Sequence, residues 1–82
     1  MPKKRRGERF APAVAFGATI RKRRTELGMS QERLAAEAGL DRTYVGGLER
    51  GLRNPTLKVI WKLAAALALA PSTLISRTEV GH

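Results

Sequence analysis

The stretch from Met29 to Asn54, MSQERLAAEAGLDRTYVGGLERGLRN, constrains this chain more than any other part, because it spells two short helices separated by one glycine. Ser30 is placed to cap a helix over Gln31 to Ala38. Leu34, Ala35 and Ala38 recur there at helical spacing, and Gly39 supplies the left-handed residue that stops it. Asp41 can cap a second helix from about Arg42 to Arg50, with Val45 and Leu48 facing inward and Gly51 as the stop. Helices joined this closely must cross steeply, and the spacing is that of a helix-turn-helix.

In such a pair the first helix braces against the phosphate backbone of DNA and the second lies in the major groove. Arg42, Thr43 and Tyr44 occupy the first turn of the second helix, the end that reaches base edges. Gln31, together with the amides that open the first helix, suits phosphate. Arg53 and Asn54 follow in the turn after Gly51, close to where the backbone should pass. Helical bundles that bind no DNA contain similar helix pairs, so charge has to be weighed with spacing. Sixteen Lys and Arg against seven Asp and Glu leave a net charge of +9, a field that attracts polyanions. An anionic membrane surface would feel the same field, and the helix-turn-helix spacing decides in favour of nucleic acid.

Around this centre the chain reads as one small domain. Residues 1–11 are expected to be a basic, disordered tail, with five cations and one acid in MPKKRRGER; its KKRR run could be a nuclear address or a minor-groove arm, and a solvated, solubilising tail accounts for it at least as well. Residues 12–78 form the folded unit. A first helix is expected over about Ala13 to Leu27, with Phe16, Ile20 and Leu27 buried and Gly28 ending it. Its cationic turn, Arg21 to Arg24, makes Lys22 a candidate backbone contact, while Arg23 is expected to lay its methylenes on the core edge and keep its guanidinium in water. Thr56 can cap a fourth helix to about Leu69, with Leu57, Ile60, Leu63, Ala64 and Leu67 inward, and Pro71 opens a short fifth through Leu74 and Ile75. The fold class is therefore all-α, a compact five-helix bundle carrying a helix-turn-helix.

The same residues argue against other functions. The single histidine is His82, which leaves no histidine for a triad or a metal cluster inside the fold, and no glycine-rich phosphate loop follows a strand, since Gly46 and Gly47 lie within a helix. Asp41 and Glu49 read as a cap and an ion-pair partner rather than a catalytic pair. No enzymatic activity, metal or cofactor is expected. There is no cysteine, the uncharged run from Leu63 to Ser76 is too short to span a bilayer, and no apolar segment follows the basic start, so the expected place is the cytoplasm. One recognition helix makes too few base contacts to select a genomic site, which calls for a two-fold dimer. Leu69, Leu74 and Ile75, with Val80 beside them, are the interface candidates; the competing reading is that they close the monomer core. Trp61 reads as a packing residue.

Residues 16–75 resemble the XRE or lambda-repressor-like helix-turn-helix family, through FGATIRKRR, MSQERLAAEAGL and NPTLKVIWKLAAAL. Within it, LDRTYVGGLERGLRNPTL is similar to the matching segment of restriction-modification controller proteins. The resemblance implies a homodimeric transcription factor on pseudo-palindromic operators upstream of its own gene, activating at low occupancy and repressing when a second dimer loads, with RNA polymerase as a further partner. It implies that Arg42, Thr43 and Tyr44 read or shape the operator, that Arg53 reaches bases, that Gln31 and Asn54 hold phosphates, and that Arg24 and Glu49 pair structurally. Two positions depart from the pattern: Gly46, often serine in controllers, and Ala68, where the family usually places the glycine ending the fourth helix. The fifth helix would be the dimer element. An antitoxin or a phage-type repressor with the same domain is the alternative.

Overall fold

The computed structural model describes residues 10–80, and within that span five helices follow one another: α1 (Ala11–Glu26), α2 (Gln31–Ala38), α3 (Arg42–Glu49), α4 (Leu57–Ala66) and α5 (Pro71–Val80). The expected tail at 1–9 and the side chain of Val80 lie outside the described residues. No strand occurs among the described residues, as the all-α reading requires. Helix α1 starts at Ala11, inside the segment assigned to the tail, because Pro12 presets the first turn.

Local chemistry fixes the helix ends. Ser30, Asp41 and Thr56 each accept a hydrogen bond from a first-turn amide: Arg33 N to Ser30 Oγ at 3.0 Å, Thr43 N to Asp41 Oδ2 at 2.9 Å and Val59 N to Thr56 Oγ1 at 3.2 Å. At the other ends, α1 to α4 close with the same paired bonds. Leu40 N donates to Ala35 O and Gly39 N to Ala36 O, and Leu69 N donates to Ala64 O and Ala68 N to Ala65 O in the same arrangement. The residue that makes the left-handed turn is glycine after α2 (Gly39, φ 68°) but alanine after α4 (Ala68, φ 56°). So α4 stops at Ala66, three residues short of the expected end, on a residue whose Cβ strains that conformation.

The core is a single cluster. Ile20, Leu34, Val45, Leu48, Leu63, Leu67 and Leu74 are fully buried, and burying each leucine contributes roughly 1.5–3 kcal/mol relative to exposure. Two expected core residues, Leu27 and Leu57, are not there, and Trp61 does not pack. Leu27 caps α1 and is 40% exposed, whereas Met29, two residues on, is buried in the core cluster. Leu57 begins α4 one turn before the helix meets the core and is 70% exposed, and Trp61, one turn on along the same face, is 57% exposed rather than packed. Arg23 also departs from expectation: its Nε donates to the Leu67 carbonyl at 2.9 Å, satisfying an end group of α4 instead of facing only water.

Gly17 explains how α1 and α3 lie so close. A Cβ at that position would collide with the carbonyl oxygen of Leu48, so glycine alone permits the contact that seats α3 on α1. Among the described residues no single helix is long and apolar enough to cross a membrane.

Candidate nucleic-acid interface

Helix α3 stands on a largely buried ion pair. Glu49, at its last turn, accepts two hydrogen bonds from the Arg24 guanidinium, Nε to Oε2 at 2.6 Å and Nη2 to Oε1 at 2.9 Å, and the carboxylate side chain is only 3% exposed. Arg24 Nη1 donates to the Met29 carbonyl at 2.7 Å, which ties the turn before α2 into the same group. The hydrogen bond to Glu49 is the main influence holding Arg24 above its already high ordinary pKa; burial pulls the other way. The two side chains lock three elements together, the structural pairing that the resemblance implied.

Gln31 enters this network, which sequence reasoning missed. Its Nε2 donates to Glu49 Oε1 at 3.0 Å, so the side chain offered to phosphate is oriented from within by α3. The link joins residues on separate helices and leaves no periodic trace in the sequence.

On the outward side, Arg42 and Thr43 are exposed in the first turn of α3 and Tyr44 is half-buried, its ring packed against the core cluster. Asp41 holds that turn in place through the Thr43 and Tyr44 amides. Arg42 lies 3.5 Å from Glu32 on α2, an exposed pair that water screens and that a phosphate or base could displace. Arg53 comes back from the turn after α3, its guanidinium carbon 5.8 Å from the centroid of the Tyr44 ring. The structure thus brings Arg53 and Tyr44 together, ties Gln31 to the base of α3, and places Arg42 and Thr43 beside them. Lys22 on α1 and Asn54 after Arg53 are exposed and joined to none of these by a hydrogen bond or ion pair. Asn54 borders an apolar groove of about 230 Å³ that Phe10, Phe16, Ile60 and Ile75 also line.

The interface candidates divide. Leu74 is fully buried inside the single chain, which removes it from any surface a second copy could touch, because α5 turns that side chain into the core. Leu69 is half-buried against the core cluster, and Ile75 is 39% exposed.

Arranged this way, the molecule presents a short capped helix with a cationic and aromatic outer surface on a rigid base, dimensions and chemistry suited to a DNA groove. The profile of the helix-turn-helix family matches residues 20–74. The chain is 43% identical over 70 residues to control protein C.BamHI of Bacillus amyloliquefaciens, spanning 84% of this chain and 86% of that one. It is similar to the crystal structure of restriction-modification controller protein C.AhdI from Aeromonas hydrophila, with a TM-score of 0.77 and 54% identity over 79% of this chain and 98% of the other. A third likeness, with a TM-score of 0.79 and 34% identity over 89% of this chain and 95% of the other, is to controller protein C.Esp1396I, there a tetramer in complex with its natural 35 base-pair operator. With the family profile covering most of the chain and such relatives matching along most of their own length, the chain belongs to the helix-turn-helix family and, within it, to the restriction-modification control proteins.

Proposed function

We propose that this chain is a sequence-specific, DNA-binding transcription regulator that acts as a homodimer on a pseudo-palindromic operator upstream of its own gene. The observation that carries the reading is the exposed first turn of α3, where Arg42 and Thr43 project from an Asp41-capped helix whose base is pinned by Arg24 and Glu49. Arg42, Thr43, Tyr44 and Arg53 are assigned to base recognition, and Gln31, Asn54 and Lys22 to phosphate. Ile75 and Leu69 are assigned to the dimer contact, with the exposed Leu57 and Trp61 on α4 as further apolar surface. The control-protein relatives favour this reading over an antitoxin or a phage-type repressor. A regulator of this kind carries out no covalent chemistry and works in the cytoplasm, where its DNA is; RNA polymerase is the partner that activation would require.

Footprinting on the DNA upstream of the gene tests the proposal. Two adjacent half-sites, about one helical turn apart, should be protected together at low protein concentration, with protection extending to a neighbouring site as concentration rises. Uniform protection along the whole fragment would contradict it.

A further inference from the structure

Gly47 lies in the middle of α3, where glycine is among the poorest helix formers. Helical spacing puts it on the outward face, four residues from the exposed Thr43 and three from Tyr44, yet it is buried. What covers it is Arg53: a Cβ at position 47 would stand 3.2 Å from Arg53 Cγ and 3.3 Å from Arg53 Nε. The same side chain then reaches the Tyr44 ring, 5.8 Å from guanidinium carbon to centroid, a favourable seat for a planar cation on an aromatic face. Arg53 therefore packs so closely on Gly47 that even a Cβ there would be tighter than ordinary contact.

We propose that Gly47 is a positioning residue for DNA recognition: its missing side chain seats Arg53 across α3 against Tyr44, delivering an arginine from the following turn onto the groove-facing side of the helix. The proposal rests on the reading of α3 as the recognition helix. It separates the two neighbouring glycines by role. At Gly46 a Cβ would meet Arg50 Nη1 and Gln31 Oε1 at 3.6 Å, ordinary contact distance, so a methyl there displaces nothing. At Gly47 a methyl is tighter than ordinary contact, and the atoms it meets belong to a long flexible side chain, so Arg53 gives way and the helix does not.

The test compares Gly47→Ala, Gly46→Ala, Arg53→Ala and the Gly47→Ala/Arg53→Ala double variant in the full chain. Two-dimensional NMR should show contacts between the Arg53 side chain and the Tyr44 ring in the parent and in Gly46→Ala, and their weakening in Gly47→Ala, with melting temperature unchanged or raised in both glycine variants. Fluorescence anisotropy on the footprinted operator should show Gly47→Ala and Arg53→Ala each weakening binding by about tenfold or more, with the double variant no weaker than Arg53→Ala alone. Arg53–Tyr44 contacts of undiminished strength in Gly47→Ala, or their absence from the parent, would overturn the proposal. So would weakened contacts with operator affinity unchanged. If the parent shows no preference for any DNA sequence, the proposed function falls, and the NMR comparison still decides whether Gly47 seats Arg53.

Discussion

Arg42 and Lys22 carry the same charge, and both are exposed, but their positions give them different work. Arg42 opens the helix assigned to base recognition, so Arg42→Ala should weaken operator binding by about 1–3 kcal/mol and relax one base position while leaving random DNA nearly unaffected. Lys22 sits on α1, so Lys22→Ala should weaken every sequence alike and lower the slope of log affinity against log salt by about one. Salt titrations on the operator and on a random duplex distinguish them; equal losses on both DNAs for Arg42→Ala would defeat its assignment. Glu49 is a third kind of residue. Removing it leaves the half-buried Arg24 without its partner and Gln31 without its anchor, and Glu49→Ala should cost up to about 3 kcal/mol in denaturant unfolding, a large share of the stability of a small domain. Arg24 itself adds no pH dependence near neutrality. A folded-state pKa raised above the unfolded value gives a contribution complete below the unfolded value and lost only as pH rises through the folded one, far into the alkaline range.

The elements show what a sequence of this kind exposes to a reader. Helix α2 was legible to the residue and α3 to within one residue of its end, because Ser30, Asp41 and Gly39 are strong local signals that need no tertiary help. Boundaries set by packing were less legible. Leu27 and Leu57 look like core by type and spacing, but each sits at a helix end where the chain leaves the core, and α5 runs on to Val80 well past its expected extent. The link from Gln31 to Glu49 and the return of Arg53 over Gly47 join side chains from different elements, so no window along the chain contains them. The end of α4 gives a direct test of local strain. Ala68 makes the left-handed turn that glycine makes elsewhere, and Ala68→Gly should stabilise the fold by up to about 1 kcal/mol, the relief of Cβ strain exceeding the added freedom of the unfolded chain. Chemical denaturation measures this, and a lower midpoint would show that the Ala68 methyl matters more than the strain.

At the scale of the whole molecule, the account joins a rigid monomer to a two-fold assembly. Leu74 and Ile75 are neighbours in sequence with opposite surroundings, one fully buried and the other 39% exposed, and they should separate stability from association. Leu74→Ala should cost about 2–5 kcal/mol of unfolding free energy through the cavity it leaves. Ile75→Glu should leave the monomer folded and shift the sedimentation equilibrium toward it, with operator affinity falling because paired half-sites are no longer bound together. Loss of fold in Ile75→Glu, or an unchanged dimer, would move the interface elsewhere. The central claim is that the chain recognises a sequence, and that the +9 charge alone does not account for its hold on DNA. Fluorescence anisotropy at ~150 mM salt, comparing the DNA upstream of the gene with a random duplex of equal length, tests this most directly. The account predicts a preference of at least about 10³ for the upstream DNA. Equal, steeply salt-dependent binding to both would contradict it and leave nonspecific attraction as the whole of the interaction.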